Sequence, residues 1–422
     1  GVRTGEVYVY PRLLEERSSD GLKLVSVDGK KILRLEKASV LAETLLVTSY
    51  DENGQMTHTP IQAEEIEKHH YRDREQYASL MVRDTGNGLE MIGMVDAATR
   101  IEPVHTAPRS LEGSLPHRLH TLAEEDLERL RNIGESIEDS YVPPPRPVPI
   151  DRNWLTATQE MLIISDSKHH EEMTREQLCV YVVIFMTAVR MRFDQTTFPT
   201  LRFRMVEILM TTEVQERKFL KMYGEYVEPT ETLRNMYDFT RQYEQNYPDV
   251  FLVLTGRDIA VKGGGKLYSA TAGLANVGGA CTTYSNYALS EDRGQAYLGI
   301  TFAAHELGHS YGCVHDGDEP DKFIPGHRGA KDPECAFEKG YIMSYVDGGT
   351  NRYYFSSCSL EQIRLFLSNQ VPSCFNNTFQ HDLMTSFPNL QPARITPVLR
   401  YCQAAYPDLE GVFNEPVILA LL

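Results

Sequence analysis

The sequence is short of cationic side chains: 42 Lys and Arg stand against 59 Asp and Glu, a formal net charge of −17. An acidic balance of that size argues against nucleic acid and anionic membrane as partners, since both repel it. Long apolar runs are missing as well. The terminal Pro416-Val417-Ile418-Leu419-Ala420-Leu421-Leu422 is far too short to span a bilayer. No charged-then-apolar leader stands at Gly1, so a signal peptide, if there was one, has been removed from this sequence. Cysteine is absent before Cys179, and five of the seven cysteines lie between Cys281 and Cys374. The glycine run Gly263-Gly264-Gly265-Lys266 is followed by Leu267, not by Ser or Thr, and no helix starts there. That excludes a phosphate loop and leaves a flexible loop.

What is present fits an ordinary globular chain. With 422 residues, 41% hydrophobic and 24% charged, two or three domains with ample core are expected. Residues 1–142 read as a β-rich domain. Alternating stretches run at Glu6–Tyr10, Leu22–Val27, Lys31–Leu35, Leu45–Tyr50, Ala78–Val82 and Leu89–Met94, with turns at Asp28-Gly29, Asn53-Gly54 and Asn87-Gly88. Glu124 to Glu138 reads as a charged helix. His69, His70 and His105 read as surface or packing residues. The prolines of Tyr141–Pro149 mark a linker, placed at 143–152.

Residues 153–378 alternate strand and helix, which implies a mostly parallel sheet with helices behind it. Glu160–Ser165 is a short strand. Thr174-Arg175-Glu176-Gln177 is a capping box, opening a helix with one buried stripe of Leu178, Val182, Phe185 and Val189. Leu201–Met205 reads as a half-buried strand. Thr230 is expected to cap a helix carrying Leu233, Met236, Tyr237 and Tyr243, and Val250–Leu254 reads as a fully buried strand. His169 and His170 fall in a polar loop and read as solvated. Ser269 to Cys281 has the glycine-broken character of an irregular edge strand.

The chemistry concentrates in Thr301–Asp316. A helix is expected from near Gly294 to Gly312, and His305 and His309, four residues apart, project from one face of it. Gly312 supplies the left-handed conformation that ends a helix, so the chain can turn and return His315 as a third ligand. Three imidazoles with an open fourth position are what catalytic zinc requires. Glu306, beside the first ligand, is the natural base for a zinc-activated water. Cysteines grouped around a site that needs only histidine favour disulfides and an oxidising compartment.

This extended pattern, with Tyr341-Ile342-Met343-Ser344-Tyr345 after it, resembles the metzincins. Asp316 directly after the third histidine resembles the reprolysin (adamalysin) branch, with salivary reprolysins of ticks the best overall match. The resemblance implies an α/β catalytic domain with a mixed, mostly parallel twisted sheet and a zinc cleft, preceded by a β-rich propeptide domain ending near Arg100-Ile101-Glu102-Pro103. It implies substrate along an edge strand at Gly273, Leu274, Ala275 and Asn276. Met343 would be an apolar floor under the zinc, and Asp316 structural. A calcium site is implied at Glu160, Asp249, the Cys374 carbonyl and Asn377. Disulfides Cys281–Cys374 and Cys335–Cys358 are implied, leaving Cys179 and Cys313 to pair with each other or stay as buried thiols. A tail at 379–422 holds Cys402 and resembles the start of a cysteine-rich region, so the sequence looks truncated or its last residues atypical. The sequon at Asn376 offers a glycosylation site.

Two features depart from the family. Residues 1–178 hold no cysteine, which excludes a propeptide thiolate on the zinc, and no basic processing site stands near the linker. The expected function is a secreted zinc endopeptidase acting on extracellular or plasma proteins. The alternatives are a catalytically silent relative that binds host matrix or receptors, and a zinc exopeptidase or other H-E-x-x-H enzyme that does not use His315. Tyr345 has two readings: a phenol that reaches the reacting oxyanion, or a wall of the substrate pocket.

Overall fold

The computed structural model describes residues 7–122, 156–241, 248–370 and 374–375, apart from 17–21, 52, 87, 112, 264–265, 270 and 294–295. The expected helix at 124–138, the linker, Tyr243, Asn376, Asn377 and the tail with Cys402 therefore lie outside the described residues.

The N-terminal strands are β1 (Val7–Val9), β2 (Arg12–Glu15), β3 (Lys23–Ser26), β4 (Ile32–Lys37), β5 (Leu41–Tyr50) and β6 (Met56–Gln62). They continue with β7 (His70–Asp73), β8 (Ala78–Asp84), β9 (Leu89–Met94), β10 (Thr99–Pro103) and β11 (His117–Thr121). Alternation marks β4 clearly: Leu33 and Leu35 are buried while Ile32 and Arg34 face out. It does not mark β2, β6, β7 or β11, which mix polar residues through both faces. Asp28 closes the β3–β4 turn by accepting from the amides of Lys30 and Lys31, with Gly29 at φ +86°. Nine of these strands form one antiparallel sheet, in the order β1-β11-β10-β9-β8-β7-β4-β3-β2.

The other two, β5 and β6, leave that sheet and join the next one. The remaining strands of the chain are β12 (Thr156–Ser165), β13 (Thr200–Met210), β14 (Lys221–Tyr223), β15 (Tyr226–Glu228), β16 (Val250–Thr255), β17 (Val261–Gly263), β18 (Lys266–Tyr268), β19 (Gly273–Ala275) and β20 (Tyr287–Glu291). The seven-stranded order is β19-β20-β16-β12-β13-β5-β6, with β14–β15 and β17–β18 as separate hairpins. Strands β5, β13, β12, β16 and β20 run parallel, and β6 and β19 are antiparallel edges. The fold is a mixed α/β region with a mostly parallel sheet and a β-rich N-terminal half, and that sheet crosses the boundary expected near residue 142.

The long helix Arg175–Phe193 starts at the expected capping box, with Thr174 and Gln177 exchanging bonds. It is buried on far more than the one stripe expected: Tyr181, Val183, Ile184, Met186 and Ala188 are buried too. The reason is that it lies between layers. One side packs on Met161, Ile163, Leu252 and Leu254 of the parallel sheet, and the same core takes in Leu45, Val47, Met81 and Met94 from the N-terminal half. Ser79 of β8 even donates its hydroxyl to the Ile184 carbonyl, 3.0 Å away.

Other expectations need correction. Strand β13 alternates over Leu201–Met205 as expected but runs on to Met210, and its second half is buried on both faces, with Ile208 in the core under the long helix and Leu209 in the core with Phe219 and Phe251. The helix Pro229–Thr240 is capped by Glu228, which accepts from the amides of Thr230 and Glu231, and not by Thr230. Gly263 and Lys266, at the two ends of the glycine run, pair with each other in the β17–β18 hairpin, where a flexible loop was expected. His169 is buried, with Nδ1 2.7 Å from the Ser165 hydroxyl and Nε2 3.0 Å from Asp292.

His70 sits in the middle of the N-terminal sheet, fully buried, with neither ring nitrogen hydrogen-bonded. Burial, with Arg72 adding to it, lowers its pKa to about 3. The unfolded chain takes up this proton below about pH 6.5 and the folded chain does not, so stability is present above 6.5 and falls as pH drops towards 3. Each pH unit within that window costs about 1.4 kcal/mol from this group alone. His70→Leu is expected to flatten that part of the pH–stability curve; denaturant titrations at pH 7 and 4.5 that fall equally for both proteins would refute it.

Candidate metal centre and active site

The histidine helix runs Ile300–Ser310, starting later than expected, and every residue in it is buried. It ends in a Schellman motif. The Cys313 amide bonds the Gly308 carbonyl at 3.0 Å and the Gly312 amide bonds the His309 carbonyl at 2.8 Å, with Gly312 at φ +94°. A side chain on Gly312 would also meet Phe366 at 3.0 Å. The reversal brings His315 back to the helix. Gln362, on the helix Ser357–Ser368, receives the Val314 amide at 2.9 Å and so fixes the returning loop.

The three imidazoles converge. Nε2 of His309 lies 3.1 Å from Nε2 of His305 and 3.0 Å from Nε2 of His315. Nδ1 of His305 faces the Ile342 carbonyl at 2.7 Å, and Nδ1 of His309 faces the Cys313 carbonyl at 2.7 Å. A carbonyl only accepts, so each Nδ1 carries the proton and each Nε2 is a bare lone pair. Burial, then the neighbouring His315, lowers His305 to about 3 and holds His309 well below its ordinary value, so neither ring charges at neutral pH. Lone pairs packed this closely repel unless a cation lies among them. This donor set fits zinc.

Glu306 is buried with Oε2 lacking any hydrogen bond, and burial holds its carboxyl well above the usual carboxylate range. Its other side presses on β19. A Cβ on Gly273 would stand 2.6 Å from Cγ and Oε1 of Glu306, so only glycine lets this edge strand run so close. Gly273, Leu274 and Ala275 pair antiparallel with Ser290, Leu289 and Ala288. Asn276 follows, its side-chain amide donating to the Ser285 carbonyl at 3.3 Å.

Met343 lies buried beneath the helix, its Sδ 2.6 Å from where a Cβ on Gly308 would be. Its carbonyl accepts from the Asp316 amide at 2.9 Å. Asp316 accepts from the hydroxyls of Ser356 at 2.6 Å and Ser359 at 3.3 Å, and burial pushes its carboxyl up to about 6. Ser356 also caps the helix that carries Gln362. The Tyr345 hydroxyl is 2.5 Å from Nε2 of His315, so the phenol points at the place where the imidazoles meet.

Sequence reasoning did not find Gln362, Ser356, Ser359 or Gly308. A serine ahead of Leu360, Ile363, Phe366 and Leu367 signals a helix start, but nothing local shows that the helix reaches back to Asp316 and Val314.

At the set expected to bind calcium, the Glu160 amide donates to Asp249 at 2.8 Å, while the Cys374 carbonyl accepts from the Gln159 amide. Burial, with Glu160 adding to it, holds Asp249 well above the usual carboxylate range. Cys281–Cys374 and Cys335–Cys358 are disulfides, as the resemblance implies. Cys179 and Cys313 do not pair. Cys179 is packed in the first turns of the long helix, where burial pushes its thiol up to about 12, while the Cys313 thiol faces the Ser359 carbonyl.

Residues 185–369 match the family model described as metallo-peptidase family M12B, reprolysin-like. A Bombyx mori protein described as a disintegrin and metalloproteinase with thrombospondin motifs like is 27% identical over 54% of this chain, which covers 34% of that protein. A venom metalloproteinase of Olivierus martensii is 24% identical, over 88% of this chain and 92% of its own length. A venom metalloproteinase of Tityus serrulatus, an antarease, is 23% identical over 87% and 92%. The chain thus spans about a third of the first relative and nearly all of the other two. No helix among the described residues is long and apolar enough to cross a membrane.

Proposed function

We propose that the chain, whose residues 185–369 match the reprolysin-like M12B family model, is a reprolysin-type metzincin and a secreted zinc-dependent endopeptidase acting on extracellular or plasma proteins. The observation that carries this is the convergence of three imidazole Nε2 atoms beside a buried carboxyl with an unpartnered oxygen. His305, His309 and His315 would hold the metal. Zinc bound there would lower the pKa of a water from 15.7 to about 7 and polarise the scissile carbonyl. Glu306 takes the proton of the attacking water and hands one to the leaving amine. The edge strand at Gly273–Asn276 orders an extended substrate by adding its backbone as a further strand, which brings the scissile bond alongside Glu306. The two disulfides support export.

Removing the metal with 1,10-phenanthroline is expected to stop hydrolysis of a casein or plasma-protein substrate, and stoichiometric zinc to restore it. Hydrolysis that survives metal stripping would sink the reading. So would a zinc-loaded protein that binds matrix proteins but cleaves none.

Tyr345 then acts as an oxyanion donor, with its phenol already turned inward. Such a donor strengthens mainly in the transition state, so Tyr345→Phe is expected to lower kcat by about 10²-fold with little change in KM. A change confined to KM and sequence preference would make the ring a pocket wall.

A further inference from the structure

A second site lies at the opposite end of the histidine helix. There a cavity of about 30 Å³ is enclosed by Arg100 of β10, Arg192 of the long helix, Arg352 beyond Met343, and Leu298, Ile300 and Thr301 at the start of the histidine helix. Three guanidiniums line it; Arg352 pairs with Asp347 at 3.7 Å, and the carboxylates of Asp96 and Asp292 act on Arg100. Arg192 is 2% exposed, donates to the Ala188 carbonyl, and lies over the rings of Tyr77 and Tyr353 at 5.2 and 5.7 Å. Its Nε is buried with no hydrogen-bond partner. Arg100 and Arg352 add like charge beside it. A buried cation without a counterion is costly, and a donor left unmade adds to that cost.

The histidine helix begins beside the cavity, and its N-cap amide, Gly299 N–H, donates to the buried Asp292 carboxylate at 2.8 Å.

We propose that this cavity is the binding site of a small inorganic anion of the halide class, chloride in ordinary solution. The lone Nε of Arg192 supplies the donor, and the other two guanidiniums add charge around it. A cavity needs roughly 10–15 Å³ on this measure to hold one water, so about 30 Å³ is room for a small ion. The bound ion bridges four parts of the chain: the N-terminal sheet, the long helix, the histidine helix and the segment after Met343. It touches no metal-ligating histidine, and its test does not depend on the protease reading.

The test is thermal unfolding of the full chain at constant ionic strength, with gluconate replaced stepwise by chloride or bromide. About 0.2 M halide is expected to raise Tm by roughly 2–4 °C, since a ligand of the native state stabilises by mass action. Arg352→Gln, a less buried member of the set, is expected to stay folded and to need about tenfold more halide for the same shift. Bromide-soaked crystals should show an anomalous peak beside Arg192 Nε. Equal Tm in gluconate and chloride overturns the proposal, as does a response to phosphate alone or a bromide-free cavity filled by a side chain of the protein.

Discussion

Glu306→Ala is expected to keep stoichiometric zinc while peptidase activity falls by about 10³-fold or more. The three imidazoles are positioned without Glu306: the Ile342 and Cys313 carbonyls orient two of them, and Gln362 and Asp316 fix the loop of the third. Metal affinity should therefore survive. Proton transfer should not, because Glu306 is the carboxylate that flanks the histidine cluster, and a positioned acid–base group contributes about 10²–10⁴-fold. Burial holds its carboxyl high, so in the folded protein it moves readily between base and acid once a cation is near. Glu306→Gln preserves shape and should lose as much, which separates chemistry from packing. Zinc content by atomic emission and turnover on one peptide should be measured on the same sample. Full activity in either variant would overturn the mechanism.

The metal centre was legible in the sequence because it is local. His305, His309, Gly312 and His315 lie within eleven residues, and a helix with a glycine stop converts that spacing directly into geometry. The capping box at Thr174 and the apolar run Val250–Leu254 were legible for the same reason. What could not be read was long-range. The long helix is buried on several sides because strands β8 and β9, some hundred residues earlier, cover its far face, and no periodicity within the helix reports that. His169 looked solvated because its partners, Ser165 and above all Asp292, come together only in the fold. The arginine cavity escaped notice likewise, since Arg100, Arg192 and Arg352 stand on three separate segments.

The same long-range pairing gives the second large expectation: the catalytic region will not fold without residues 1–122. Strand β5 pairs parallel with β13 at Glu207–Leu46, Ile208–Val47 and Leu209–Thr48, so removing it turns an interior strand into an open edge. Val40, Leu41, Leu45, Val47, Met81 and Met94 share one core with the long helix and the parallel sheet. Burying each such side chain contributes about 1.5–3 kcal/mol, so losing six costs roughly 10 kcal/mol, as much as a domain's whole net stability. Polar ties go with them: Arg72 to Asp194 at 2.9 Å and Arg190 to the Ser39 carbonyl at 2.8 Å. A fragment of residues 156–375 expressed alone is expected to aggregate, and to be recovered folded when residues 1–142 are supplied in trans. Full-length protein cut by a protease between residues 142 and 153 is expected to elute as one species, because a sheet and a core hold the halves together. A soluble, monomeric 156–375 fragment that melts within a few degrees of the intact chain would show that the N-terminal half is a removable cover and not part of the catalytic sheet.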